Sequence, residues 1–204
     1  MPEFFIFADI IGITAFSISG FLVAIKNRLD ILGILIASAL TALGGGIIRD
    51  AILCSTPFAF SSLYPAITLF LSLFAAFVFK LYNKPSLEQK WIFVVSDTIG
   101  LVAFSITGAI LAINAEYNFF GIMILSFITA MGGGVTRDVM INQVPTVLIS
   151  DFYGSIAVIV ALLLALLETL DILNALSISS VAIFSIVLRL IAFKRGWQLP
   201  KFNA

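Results

Sequence analysis

The sequence predicts an all-α polytopic membrane protein: seven transmembrane helices, arranged as two inverted three-helix repeats plus a seventh helix, with helices 2 and 5 broken or kinked. Three observations carry that expectation. Hydrophobic residues make up 61% of the chain and charged residues 11%, with no histidine, a balance foreign to soluble globular domains. Apolar runs of the roughly 20 residues that a helix needs to cross a bilayer follow one another along the chain. Residues 9–50 align with residues 97–138 without a gap, and half of the aligned positions are identical.

The first span is read at 4–25. Its leading stretch, "MPEFFIFADI", has no Lys or Arg before the apolar run and no small-residue cleavage site after it, unlike a removable signal peptide. The second span, 31–53, contains "TALGGGIIRD" at 41–50, and the third, 59–82, follows Pro57. Spans 91–113, 119–141 and 147–167 repeat this order, with "TAMGGGVTRD" at 129–138 and Pro145 matching Pro57. A seventh span, 172–193, has no counterpart. The runs are continuous, whereas membrane β-strands alternate in short segments. Residues 1–88 thus form the first repeat, 89–170 the second, and 171–204 the seventh helix with a basic tail.

Three spans per unit is an odd number, so the second copy enters the membrane upside down relative to the first. Inverted repeats of this kind place a solute or ion path near the midplane, commonly beside discontinuous helices. Sorting the basic residues gives the orientation. Lys26, Arg28, Lys80, Lys84, Lys90, Arg189, Lys194, Arg195 and Lys201 fall on one side, and Glu3, Glu116, Glu168 and Asp171 on the other. The N-terminus is therefore expected outside and the C-terminus in the cytoplasm of a cell with a bacterial-type inner membrane.

Composition also narrows the chemistry. A single cysteine, Cys54, excludes an intrachain disulfide, and without histidine there is no His-based metal site or acid–base dyad. No nucleophile–base constellation or cofactor motif is present, so neither an enzyme nor a cofactor is expected, nor a nucleic-acid partner. The glycine triplets, Gly44, Gly45 and Gly46 and their copies Gly132, Gly133 and Gly134, are expected to kink or break their helices, since each glycine costs about 1 kcal/mol relative to alanine. A break in lipid is tolerable only inside protein or beside water. The alternative is that the triplets only allow close helix packing, the role assigned to the stripe Gly12, Phe16, Gly20, Ala24 and its copy Gly100, Phe104, Gly108, Ala112.

Ser38, Thr41, Gly45 and Arg49 share one helix face, as do Ser126, Thr129, Gly133 and Arg137, which suits a polar path lined by hydroxyls. Ionisable groups at membrane depth are costly and normally face a cavity or a partner. Depth predicts two pairs, Asp9 with Arg49 near the external mouth and Asp97 with Arg137 near the cytoplasmic one. Neighbours on a helix point about 100° apart, which would leave Asp50 and Asp138 free for the path. Asp151, where the first copy has Leu63, adds an acid to the second mouth, and Thr136 replaces Ile48.

A seven-span chain with two three-span repeats, each carrying GGG-x-x-RD in its middle span, resembles the trimeric intracellular cation channels, in particular their bacterial and archaeal branch. Relatives there also carry a glycine-transporter label. The resemblance implies a homotrimer in the lipid bilayer, with one pore per protomer, kinked at the glycines of spans 2 and 5, passing K⁺ and Na⁺ with potassium favoured. It places Arg49, Asp50, Arg137 and Asp138 beside the pore. The basic lipid-binding motif of the animal branch has no counterpart, since "ILIASAL" precedes the first triplet. No T-V-G-Y-G carbonyl filter is present, so selectivity among alkali cations is expected to be modest. The rival expectation is an alternating-access carrier for a small zwitterion such as glycine, which inverted repeats suit equally well.

Overall fold

The computed structural model describes residues 2–149 and 152–197 and, at the N-terminus, side chains from Phe5 onward. The described residues form helices and turns only. In order these are α1 (Pro2–Lys26), α2 (Ile31–Ile52), a short α3 (Phe58–Ser61), α4 (Tyr64–Val78), a 3₁₀ turn (Leu81–Asn83), α5 (Ser86–Asn114), α6 (Phe119–Met140), a short α7 (Thr146–Ile149), α8 (Gly154–Thr169) and α9 (Ala175–Arg195). Five of them, α1, α2, α5, α6 and α9, are long and apolar enough to cross a membrane, while α4 and α8 are shorter apolar helices of 15 and 16 residues.

The helices at the third and sixth expected spans are therefore shorter than the 59–82 and 147–167 read from the sequence. In both copies the polypeptide first makes one helical turn, α3 or α7, after Pro57 or Pro145. The first copy then passes through Ser62 in an extended conformation before α4 begins with Pro65 in its first turn, where proline's missing N–H costs nothing. Fifteen residues of helix span about 22 Å, against roughly 30 Å of hydrocarbon.

The two copies end their helices in the same register. Arg28 and Glu116 occupy the left-handed region after α1 and α5, and Cys54 and Asn142 do so after α2 and α6. Each is followed by the 6→1 backbone bond of a Schellman motif, such as Ser55 N to Asp50 O and Gln143 N to Asp138 O. Starts match too: Asp30 and Asn118 accept from Gly33 N and Gly121 N, capping α2 and α6.

The core is built from α1, α2, α5 and α6, with α4 packed outside α1 and α2, α8 outside α5 and α6, and α9 against α5 and α8. Helix α1 runs antiparallel to its copy α5. Phe16 and Phe104 stack at 5.4 Å between ring centroids, and each ring lies over the other helix's glycine, Phe104 on Gly12 and Phe16 on Gly100. A Cβ added at Gly100 would lie 2.3 Å from the Phe16 ring. Helix α2 likewise runs antiparallel to its copy α6, and the glycine triplets meet where they cross.

That crossing corrects the expectation of broken helices. Helical structure is continuous through Gly44–Gly46 and through Gly132–Gly134, so no free carbonyls appear around Leu40–Leu43. The reason is the cost of unpaired backbone groups in lipid, several kcal/mol each, which exceeds the weak helix propensity of three glycines. The glycines serve contact instead: a Cβ at Gly45 would sit 2.0 Å from the Thr129 carbonyl oxygen, and one at Gly133 would sit 2.2 Å from that of Thr41. At Gly46 and Gly134 the nearest atoms are the ends of the Arg49 and Arg137 side chains, 3.7 and 3.9 Å away.

This geometry makes alanine substitution position-specific. Gly45→Ala and Gly133→Ala overpack backbone against backbone and should each destabilise by about 1–3 kcal/mol, whereas Gly46→Ala and Gly134→Ala should be neutral or slightly stabilising through helix propensity. Thermal unfolding of the detergent-solubilised protein, followed by loss of the folded peak on size-exclusion chromatography, checks the contrast; equal effects at all four positions would contradict it.

Candidate functional site

Two clusters of buried charge lie on either side of the α2–α6 crossing, and the helix ends place them. In the first, Arg49 near the end of α2 is 1% exposed. Its Nη1 and Nη2 donate to the two carboxylate oxygens of Asp9 on α1 at 3.1 and 3.3 Å, and Nη1 also donates to Thr107 Oγ1 on α5 at 3.2 Å. Its Nε donates to Asp50 Oδ1 at 2.7 Å, and its guanidinium carbon lies 4.8 Å from the centre of the Phe5 ring. Bidentate guanidinium–carboxylate geometry of this kind is the strong form of the ion pair.

Asp50 and Asp138 do not point away from the neighbouring arginines, although the 100° separation of neighbours predicted it. Each arginine folds back along its helix to bond the next residue, with Arg137 Nε donating to Asp138 Oδ1 at 2.8 Å. The second oxygen of each carboxylate accepts an amide of the following short helix, from Phe58 N to Asp50 Oδ2 and from Thr146 N to Asp138 Oδ2, both 2.8 Å. Thr146 Oγ1 adds a bond to Asp138 at 3.0 Å. The aspartates thus join each arginine to the start of α3 or α7. The signal for this in the sequence is the repeated eight-residue spacing, from Asp50 to Phe58 and from Asp138 to Thr146.

The second cluster departs from its copy. Arg137, also buried, donates to Thr41 Oγ1 on α2 at 3.4 Å, and its ion pair among the described residues is with Asp138. Asp97, predicted as its partner, lies within reach of the Arg137 charge but not in ion-pair contact with it, and takes its hydrogen bonds from Ser19 Oγ on α1 at 2.9 Å and from the Tyr153 phenol. Arg189, which the charge sorting treated as a flanking basic residue, is buried on the inner face of α9 with its guanidinium carbon 5.0 Å from the centre of the Tyr153 ring. Nothing in the apolar pattern near the end of span 7 marks it, since α9 is the one long helix with no copy to compare. Asp151 lies outside the described residues.

The hydroxyl stripes are buried on the α1/α2/α5/α6 core, and most are already bonded. Thr41 and Thr129 donate to the carbonyls of Ala37 and Leu125, one turn back at 2.6 Å. Ser126 Oγ donates to Ser105 O on α5 and Ala157 O on α8, while its copy Ser38 has a buried hydroxyl with no bond among the described residues. Thr136 bonds back to Gly132 O. A cavity of about 430 Å³ opens beside the first cluster, lined by Phe5, Arg49, Asp50, Ser55, Ser61 and Asn114. A larger groove of about 640 Å³ between α1 and α5, lined by residues such as Ile11, Ile18 and Val95, is almost wholly apolar, and lies away from the charges. Among the described residues no group of acidic or thiol ligands could hold a metal ion.

Comparison with known proteins places this architecture. A family model described as "Glycine transporter" matches residues 6–80 and 94–169, one match per copy of the repeat. The chain is 32% identical over 202 residues to the UPF0126 inner membrane protein YadS of Escherichia coli K12, covering 95% of this chain and 94% of that protein. It is also 32% identical over 195 residues to the UPF0126 membrane protein YvgT of Bacillus subtilis, covering 94% and 93%. Among solved structures, a prokaryotic TRIC channel crystallised in 0.5 M KCl superposes with a TM-score of 0.86 at 30% identity, covering 98% of this chain and 100% of the other. The TRIC trimeric intracellular cation channel orthologue from Rhodobacter sphaeroides gives 0.84 at 27% identity, covering 94% and 98%.

The two clusters should respond differently to loss of charge. Arg49→Ala strands two buried carboxylates and should cost about 3–5 kcal/mol, of which Asp9→Asn recovers a large part. Arg137→Ala should be recovered less by Asp97→Asn, because those two side chains interact across a distance and make no direct hydrogen bond. Melting temperatures of the four single and two double variants decide it; equal rescue in both halves would overturn the asymmetry.

Proposed function

The chain belongs to the family of trimeric intracellular cation channels, and from that membership we propose that it is a monovalent cation channel, potassium-permeable, with one pore in each protomer of a homotrimer. The observation that carries the proposal is the duplicated buried Arg/Asp cluster on the α1/α2/α5/α6 core, one cluster beyond each side of the α2–α6 crossing. Charges at membrane depth are retained where they serve a path or a partner, and here they stand on both sides of that crossing, with buried hydroxyls on the same helices.

The proposed path runs between the antiparallel pairs α1/α5 and α2/α6, past Gly44–Gly46 and Gly132–Gly134. Ser38, Thr41, Ser126 and Thr129 lie along it, Asp9, Arg49 and Asp50 at one mouth and Asp97, Arg137 and Asp138 at the other, with Asp151 assigned to the second mouth from sequence. At the crossing the backbones approach too closely for a methyl group, so the conformation described is closed there. The finer layout belongs to the same proposal: seven crossings, residues 1–88 and 89–170 as inverted repeats, 171–204 as the seventh helix and tail, and the N-terminus external in the inner membrane. The antiparallel contact of α1 with α5 and of α2 with α6 supports the inversion.

The description of the family model, "Glycine transporter", keeps a second reading in the test, an alternating-access carrier for a small zwitterion. Unbroken α2 and α6 weigh against it. A carrier of that type holds its substrate carboxylate at the start of a half-helix, and neither triplet starts one.

Recording from purified protein in planar bilayers under a KCl gradient tests the proposal. The expected result is discrete current steps reversing near the potassium equilibrium potential, with a modest shift when sodium replaces potassium. A silent bilayer together with saturable uptake of labelled glycine into proteoliposomes would establish the carrier instead.

A further inference from the structure

The two copies end their helices in the same turns, yet the side chains that follow those turns differ. Beside the first cluster, the cavity of about 430 Å³ is bordered by Ser55 and Thr56, after α2, and by Leu111, Asn114 and Ala115, at the end of α5. In the gapless register that aligns 9–50 with 97–138 and Pro57 with Pro145, Ser55 corresponds to Gln143 and Ala115 to Asn27. Two small residues at the edge of an opening are thus replaced by two primary amides. These amides touch: Gln143 Nε2 donates to Asn27 Oδ1, joining the end of α1 to the segment that follows α6.

Both amides are set up for this contact. Asn27 Nδ2 donates to Val23 O, one turn back at 2.8 Å, which leaves its Oδ1 as the acceptor. Gln143 is placed by the turn that ends α6, where its backbone amide bonds Asp138 O and Asn142 takes the left-handed conformation. Ser55 makes the same backbone bond to Asp50 O, but its short side chain folds back onto that carbonyl at 3.2 Å. Ala115 offers no polar atom at all. The backbones are alike, so side-chain length and the amide groups make the difference. Gln143 also stands within the connection whose two ends the Asp138 carboxylate joins, through Arg137 on one side and the Thr146 amide on the other.

We infer that the Asn27–Gln143 hydrogen bond is a latch across the second mouth, holding the end of α1 against the α6–α7 connection at the place where the first half leaves a cavity open. Gln143 is exposed and Asn27 half-buried, so water competes for both groups. One hydrogen bond between neutral partners has a small net stability under those conditions. It therefore opens thermally while the helices stay folded, as local contacts of low stability do. The functional consequence rests on the channel reading: opening the latch exposes Asp138 and Arg137 to the aqueous side, so the second mouth is gated while the first stands open.

The test separates the contact from the current. In a Cys54→Ser background, Leu53→Cys reports on the first cavity, which Leu53 lines, and Ile141→Cys on the corresponding position of the second half. Modification of each thiol by a charged, water-soluble reagent is timed on the detergent-solubilised full chain. Leu53→Cys should react faster than Ile141→Cys. Gln143→Met, which keeps the length and loses the amide, and Asn27→Ala should each raise the Ile141→Cys rate about threefold to tenfold, the range that one neutral hydrogen bond supports. Both should leave Leu53→Cys unchanged, and the double variant should go no further than either alone. Equal rates at the two probes in the wild-type background, or a gain with Asn27→Ala alone, would overturn the latch, because Asn27→Ala also removes the bond to Val23 O. In planar bilayers Gln143→Met should lengthen the time spent open by a similar factor and leave the size of the current step as it was. Faster modification with unchanged open time would reject the gate and keep the contact, and absence of any current in the wild type would reject the channel reading alone.

Discussion

The crossing of α2 over α6 is the constraint on which the rest depends. Gly45 lies against the Thr129 carbonyl and Gly133 against that of Thr41, so the two backbones meet with no side chain between them. Dispersion and close packing, not hydrophobic exclusion of water, hold helices together where lipid is the solvent, and contact of this kind needs residues without a Cβ. Closeness here has a direct electrostatic result. Arg137 reaches Thr41 on the opposite helix because the axes are near enough for one side chain to bridge them. The aromatic contact of Phe16 with Phe104 braces the same four-helix core from the α1–α5 side.

On that core the two halves carry the same parts and use them differently. Each GGG-x-x-RD unit places an arginine four residues beyond the crossing glycine, one helical turn, and follows it with an aspartate that bonds both the arginine and the first amide of the next short helix. These bonds satisfy the carboxylates and fix the arginine stems, so only the terminal nitrogens have a choice of partner. In the first half they take Asp9 and Thr107, and in the second Thr41 and the Asp138 carboxylate. A buried ion pair is weak testimony to stability, since its desolvation offsets its attraction. Stability alone therefore does not account for four aspartates and three arginines buried inside a 204-residue membrane chain; in the channel reading they line the path.

Much of this is legible in the amino-acid sequence. The membrane class follows from composition, and the repeat from alignment of the chain with itself. The pairing of Asp9 with Arg49 follows from depth along two spans. What misleads is local reasoning about single residue types. Glycine's low helix propensity points to a break, but the penalty for open backbone in lipid is larger and keeps both helices whole. The angular separation of neighbours on a helix points Asp50 away from Arg49, but an arginine stem is long enough to fold back over one residue. Spans 3 and 6 look longer than α4 and α8 because apolar content continues through α3 and Ser62, where the chain turns. Arg189 is hidden by its place near the end of the last apolar run, where basic residues usually sit at the interface.

Unbroken helices also bear on selectivity. A potassium filter of the carbonyl type needs several backbone oxygens turned toward the ion, and such oxygens are free only where the helix is open. Here the carbonyls of Thr41 and Thr129 face glycines across the crossing, and the threonine hydroxyls donate to carbonyls a turn back, with Thr41 Oγ1 also accepting from Arg137. In the channel reading, what an ion could meet along the path is therefore hydroxyl oxygens, carboxylates shared with arginine, and water. Groups of that kind favour cations over anions through net charge, but they lack the fixed cage that distinguishes one alkali ion from another. In that reading, weak preference among alkali cations follows from the same feature that closes the crossing, which is that the backbone has no oxygens to spare.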